Sequence, residues 1–164
     1  MTSKPIRVIV TGGTFDKAYD AIKGELTFKE SNLPEILDLA RVTVPVAIEQ
    51  NQLIDSLQMQ DANRDSVLAA CVRAPEDRIV VTHGTDTMAE TARLIGAVGL
   101  AKTIVITGAM VPYQVQGSDA LFNFGTAFMA AQLLPIGVYI VMNGRIFGWD
   151  KVRKDRSRGV FEEV

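Results

Sequence analysis

Ile6-Arg7-Val8-Ile9-Val10-Thr11-Gly12-Gly13-Thr14 is the stretch on which the fold turns. Ile6 to Val10 is an apolar run broken only by Arg7, the pattern of a strand buried inside a parallel sheet. It stops at two glycines, which let the backbone turn tightly and bring N–H groups close to a ligand. Further along, short apolar runs alternate with helix-like windows, as they do in parallel α/β sheets. A helix is expected after Ser31-Asn32, with Pro34 near its first turn. Val42 to Glu49 is β-rich, and Pro45 marks an edge or a bend. Asp61 to Val72 reads as a helix whose apolar face is Ala62, Val67, Leu68, Cys71 and Val72. Arg78 to Thr82, Lys102 to Thr107 and Gly137 to Met142 read as strands. Thr85 or Asp86 is expected to cap a helix carrying Met88, Ala92 and Ile95. A long apolar helix runs from Asp119 to Leu134, where Pro135 stops it. The order predicts a three-layer αβα sandwich with a mainly parallel, flavodoxin-like sheet and right-handed crossovers. In such sheets the ligand lies beyond the carboxyl ends of the strands.

The 164 residues and 48% hydrophobic share suit one domain, residues 1–164, with a full core. Residues 144–164 are charged and less regular, a tail expected to complete a site or an interface. A net charge of -2 offers no basic footprint for nucleic acid or an acidic membrane surface. The one cysteine, Cys71, reads as a buried small hydrophobe and gives no sign of an oxidising compartment. The first residues lack the apolar core of a signal peptide, and no apolar run approaches a membrane span, so the expected location is cytoplasmic.

Three polar clusters fall at or after strand ends. Thr11-Gly12-Gly13-Thr14 lacks the Gly-Lys-Ser/Thr ending of a P-loop and the spacing of a dinucleotide fingerprint. By itself it is a Gly-rich turn. Thr82-His83-Gly84-Thr85-Asp86-Thr87 opens a helix, where unpaired N–H groups favour an anionic group nearby. By itself it is a cap. Asp150-Lys151-Val152-Arg153-Lys154-Asp155-Arg156 by itself is a solvated charge run. His83, the only histidine, reads as a residue that orients the loop. No spacing suggests a metal site, and no cofactor is implied.

Val10-Thr11-Gly12-Gly13-Thr14-Phe15 and Val81-Thr82-His83-Gly84-Thr85-Asp86-Thr87-Met88-Ala89-Glu90-Thr91-Ala92 resemble the two signature motifs of the bacterial-type L-asparaginases. Thr107-Gly108-Ala109-Met110-Val111-Pro112 with Ser118-Asp119-Ala120-Leu121-Phe122-Asn123, and Val141-Met142-Asn143 with Lys154, are similar to two further stretches of that family. The resemblance implies a hydrolase that converts L-asparagine to aspartate and ammonia. It makes Thr14 the nucleophile, Tyr19 its hydrogen-bonding loop tyrosine, and Thr85, Asp86 and Lys154 the second catalytic group. Ser56 would hold the substrate α-carboxylate and Asp86 its α-ammonium. N–H groups of the loops at Gly13 and Gly84 would form the oxyanion hole. A threonine hydroxyl needs a neighbour to take its proton, and Tyr19 and the Thr85–Lys154 pair both qualify.

Two departures stand out. Leu57 occupies a position where the family usually has a polar glutamine. The chain also resembles only the N-terminal domain of a family whose members are about twice as long and complete their site with residues from a second domain of a neighbouring subunit. A homo-oligomer, dimer or tetramer, is therefore expected to supply what is missing. Phe147, Trp149 and Phe161 serve equally well as interface or core aromatics. Two other readings stay open: an amino-acid-binding module with a degenerate site, and an amidohydrolase or glutaminase acting on another small amide.

Overall fold

The computed structural model describes residues 3–164. β1 (Ile6–Gly12) is buried except at Arg7, which is half-buried. The Arg7 guanidinium binds Glu76 through two bonds of 2.9 and 3.1 Å, so the one charge in the run is paired. A single 3-10 turn, Thr14–Asp16, leads into a small hairpin of β2 (Ala18–Asp20) and β3 (Glu25–Thr27). α1 (Leu33–Leu39) follows with its proline in the first turn, as expected. Next come β4 (Val46–Ile54), a 3-10 turn at Ser56–Gln58, α2 (Asp61–Arg73), β5 (Arg78–Thr82), α3 (Met88–Val98), β6 (Thr103–Thr107), α4 (Ala120–Leu133) and β7 (Gly137–Met142). The chain closes with β8 (Arg145–Gly148), β9 (Val152–Asp155) and β10 (Val160–Glu163).

The main sheet has the order β4-β1-β5-β6-β7-β8. Its first five strands are parallel and β8 returns antiparallel to β7. Numbered among themselves, the five parallel strands run 2-1-3-4-5, the flavodoxin-like order. Pro45 precedes β4, which is an edge strand, where a missing N–H costs nothing. Alternate residues of each strand feed opposite faces. Ile6, Val8, Val10, Val80 and Val105 pack under α1 and α4 with Leu33, Ile36 and Phe124. Ile9, Ile79, Val81, Ile104 and Ile106 pack under α2 and α3 with Val67, Cys71 and Ile95.

Three expectations are corrected. The buried face of α2 is Arg64, Val67, Ala70 and Cys71, while Ala62 and Val72 are exposed. Each of those two lies five positions from Val67, a rotation of roughly 140° away from it. Neither Thr85 nor Asp86 caps α3: the helix begins at Met88 and its N-cap is Thr87. Residues 144–164 hold three short strands rather than an irregular tail. Phe147 and Phe161 are buried in the core beneath α3, and Trp149 packs against the same cluster.

Candidate active site

The sheet order reverses between β1 and β5, and their carboxyl ends carry the two glycine-containing loops. Gly12 and Gly13 have φ of 101° and 71°. A Cβ on Gly12 would lie 2.5 Å from Ile54 N, and one on Gly13 would lie 2.4 Å from Gly84 Cα. Both positions therefore need glycine for conformation and for space. A Cβ on Gly84 would lie 2.5 Å from Ser56 Oγ. Three loops thus meet in the succession Gly13, Gly84, Ser56, distant in sequence and in direct contact. Bonds from Gly13 N to Ile54 O (2.9 Å), from Thr11 Oγ1 to Thr82 O (2.8 Å) and from Thr87 Oγ1 to Ser56 O (2.9 Å) fasten them.

Lys154 enters from the far end of the chain. It sits on β9, opposite the buried Phe161 of β10. The Arg93 guanidinium ties the hairpin to α3 by donating to Val152 O at 2.9 Å. The Lys154 side chain is only 9% exposed. Its Nζ donates to Thr85 Oγ1 at 2.7 Å and to Asp86 Oδ1 at 2.8 Å. Ion–dipole and ion–ion contacts of this length are at the strong end for proteins. Arg156 adds a second cation, with Nη2 donating to Asp86 O at 3.3 Å and Nε 3.8 Å from Asp86 Oδ1.

His83 is fully buried. One ring nitrogen, Nδ1, is 2.8 Å from Gly84 O, and the other, Nε2, is 2.8 Å from Thr91 Oγ1. A carbonyl only accepts, so Nδ1 carries the proton and Nε2 accepts from Thr91. Burial pushes the imidazole pKa down to about 4, which keeps the ring neutral. Its role here is to hold the loop carrying Gly84 and Thr85.

The 108–111 loop forms another wall. A Cβ on Gly108 would lie 2.3 Å from His83 O and 3.3 Å from Thr85 Cγ2. The Asp119 carboxylate accepts from Met110 N and Val111 N at 3.0 Å, from Asn123 Nδ2 at 2.9 Å and from Asn143 Nδ2 at 3.0 Å. Burial pushes Asp119 upward, and the amides of Val111 and Met110 with Asn143 outweigh it, holding the carboxyl below its usual range. Asn143 adopts a left-handed φ of 48°, which places its own amide N–H on Asn123 Oδ1 at 3.0 Å.

The structure brings Gly13, Ser56, Gly84, Thr85, Asp86 and Lys154 together, with the half-buried Thr14 adjoining Gly13. It does not bring Tyr19 to Thr14. Tyr19 lies on β2, is 63% exposed, and no hydrogen bond joins the two among the described residues. Beside Thr14, Asp16 is buried and accepts from Asn32 N at 2.8 Å, anchoring the Thr14 turn to the start of α1. Sequence reading missed Thr87, Arg156 and the pair Lys17–Asp55, whose 2.6 Å bridge links the Thr14 loop to the Ser56 turn. Thr87 had a local signal, since it belongs to the same motif as Thr85. The other three had none, because each finds its partner across the fold.

Among the described residues, no group of three His, Cys, Asp or Glu is placed to hold a metal ion, and no helix is long and apolar enough to cross a membrane. The class this arrangement defines is a flavodoxin-ordered α/β domain with a threonine–lysine–aspartate cluster at its switch point. A family profile described as "Asparaginase, N-terminal" matches residues 5–161, and the chain belongs to that family. It is 29% identical to L-asparaginase 1 of Escherichia coli (strain K12) over 172 residues, covering 97% of this chain and 50% of that protein. It is 31% identical to one subunit of the glutamyl-tRNA(Gln) amidotransferase of Aeropyrum pernix over 154 residues, covering 85% of this chain and 35% of that one. The solved structure of the thermostable L-asparaginase from Thermococcus kodakarensis superposes with a TM-score of 0.87 at 26% identity, over 98% of this chain and 51% of that one. The chain spans about half the length of the L-asparaginases it matches.

Proposed function

We propose that this protein is a cytoplasmic amidohydrolase that converts L-asparagine to L-aspartate and ammonia. The observation that carries the reading is the buried Lys154 Nζ on Thr85 Oγ1 and Asp86 Oδ1, whose loop packs directly on the Thr14 turn. Thr14 Oγ attacks the side-chain amide carbon. With Lys154 as the neutral amine, its Nζ takes the Thr14 hydroxyl proton through Thr85 Oγ1 and returns it to the amide nitrogen, which leaves as ammonia. The carbonyl oxygen becomes an anion and is met by backbone N–H groups of the Gly13 and Gly84 loops. Water then attacks the threonine ester, the Thr14 hydroxyl is restored and aspartate is released. Ser56 and Asp86 hold the substrate α-carboxylate and α-ammonium. Tyr19 joins this set only if its hairpin moves from its exposed position onto Thr14. The 164 residues act as one domain of the N-terminal type, assembled as a homo-oligomer.

Ammonia release from L-asparagine, measured on the purified protein beside Thr14→Ala, tests the reading. Release by the wild type and none by the variant is the expected result. No release from asparagine by either protein at high enzyme concentration would sink it. A second reading has its own observation: Leu57, 60% exposed, puts an apolar group beside the carboxylate-holding Ser56. It favours hydrolysis of a less polar amide, and a panel of amides ranked by kcat/KM separates the two.

A further inference from the structure

Thr14 and Ser56, the hydroxyls between which the substrate would stretch, sit on two short turns, and the residues bounding those turns are tied to each other. The Thr14–Asp16 turn is closed by Lys17, whose backbone N–H donates to Thr14 O at 3.2 Å. The Ser56–Gln58 turn is opened by Asp55, whose Oδ1 accepts from Leu57 N at 3.0 Å. Lys17 Nζ donates to the other oxygen, Asp55 Oδ2, at 2.6 Å. The sheet supplies a second fastening. β1 and β4 remain paired as far as Gly12 and Ile54, and Gly13 N donates to Ile54 O at 2.9 Å. Beyond that point the two segments form a small ring, closed by backbone at Gly13–Ile54 and by side chains at Lys17–Asp55. Thr14 lies inside the ring, and Ser56 is the next residue outside it.

The bridge is better suited to hold a distance than to hold the fold. Its side chains are 21% and 29% exposed, and ion pairs with such access to water contribute little to stability. As a link it is firm. The bond is short and charge-assisted, and it is the chief cause that holds the Asp55 carboxyl below its usual range. The Lys17 ammonium also stands 5.9 Å from the centre of the Phe28 ring, which fixes its direction. Distance matters here because of what would lie across it. With the amide carbon at Thr14 and the α-carboxylate at Ser56, the separation of the two turns selects the length of the chain between. Glutamine is one methylene longer than asparagine. A rigid pocket distinguishes one methylene by roughly 10–200-fold, and a misplacement of about 1 Å at the reacting atoms costs roughly 100-fold. Turns free to slide apart would accept both amides.

We infer that Lys17 and Asp55 are positioning residues for substrate length: their bridge fixes the span from Thr14 to Ser56 and so favours the amide of asparagine over that of glutamine. The inference rests on the amidohydrolase reading but is tested apart from it, because L-aspartate and L-glutamate report the same span by binding, without turnover. Wild-type kcat/KM for asparagine should exceed that for glutamine by at least about 10-fold. In Lys17→Met the ratio should fall toward unity, by at least about fivefold. Asp55→Asn, which keeps an oxygen for Leu57 N, should do the same. Lys17→Arg, which keeps the cation, should retain most of the ratio. Thermal melts of all three variants should stay close to wild type. Calorimetric titration of the four proteins should give the same order in their preference for aspartate over glutamate. If the wild type releases no ammonia, the amidohydrolase reading falls and the titrations still decide the span. A wild type that does not distinguish the shorter compound from the longer, or that binds neither amino acid, would overturn the inference. An unchanged ratio in Lys17→Met and Asp55→Asn, or an equal loss on both amides, the result expected if the bridge serves only the fold, would overturn it too.

Discussion

His83 is a base that the fold keeps neutral, and the sign of its effect follows from that. Its folded pKa, about 4, lies below the ordinary value of 6.5. Between those values the unfolded chain binds the proton and the folded one does not. The contribution is therefore fully present above pH 6.5 and lost as pH falls toward 4, with a size of about 3 kcal/mol. Thermal melts from about pH 7 to 4 should show a fall in Tm that is shallower in His83→Gln. Comparing the two proteins cancels Asp16, whose pKa burial raises. At Gly13, an alanine would be held at a φ of 71° with its Cβ against Gly84. Gly13→Ala should cost at least about 2 kcal/mol and abolish turnover, read by denaturant melts and an ammonia assay. Lys154→Met should lower kcat by roughly 10²–10⁴-fold with the fold retained by circular dichroism. Most candidate site residues were legible at this scale, since Thr14, Thr85 and Asp86 lie inside motifs. The resemblance supplied the roles of all three, and of Lys154, whose own surroundings read as a solvated charge run. Arg156 and Lys17 were not legible, because nothing local separates a charge that finds a partner from one that stays in water.

At the scale of elements, helix ends show how distant residues finish local structure. The carboxyl end of α2 leaves carbonyls unpaired, and the Lys102 ammonium takes them: Nζ donates to Cys71 O at 2.9 Å, to Val72 O at 3.4 Å and to Ala74 O. Lys102→Met should lower stability by about 1 kcal/mol in a urea melt, through lost bonds and lost charge at the helix end. The β9–β10 hairpin carries Lys154 on a two-stranded ribbon whose core anchors are Val152 and Phe161. Removing the ring in Phe161→Ala should cost about 3–5 kcal/mol and lower kcat by loosening Lys154, measured by melts and turnover together. This hairpin was hidden in the sequence. Only two of its eight strand residues are buried, and the charges around them read as a solvated run. The start of α3 was misread for a related reason. Thr85 and Asp86 have the chemistry of caps, but Lys154 bonds to both and Asp86 also receives Arg156.

For the whole molecule, the alternating apolar runs determined a parallel α/β sheet, because strands buried on both faces must be apolar throughout. The glycines determined where its loops could touch, since Gly12 and Gly13 need both their φ values and their lack of a side chain. These properties are local, and any fold of this chain has to satisfy them. The tertiary structure alone decided the rest. It placed β1 and β5 side by side at the reversal of strand order, laid Gly84 against Ser56, and left Tyr19 away from Thr14. It also folded the last residues back so that Lys154 meets Thr85, 69 positions earlier. Such contacts depend on the packing of layers rather than on neighbours along the chain, and a charged side chain carries no mark of its partner until burial makes pairing obligatory.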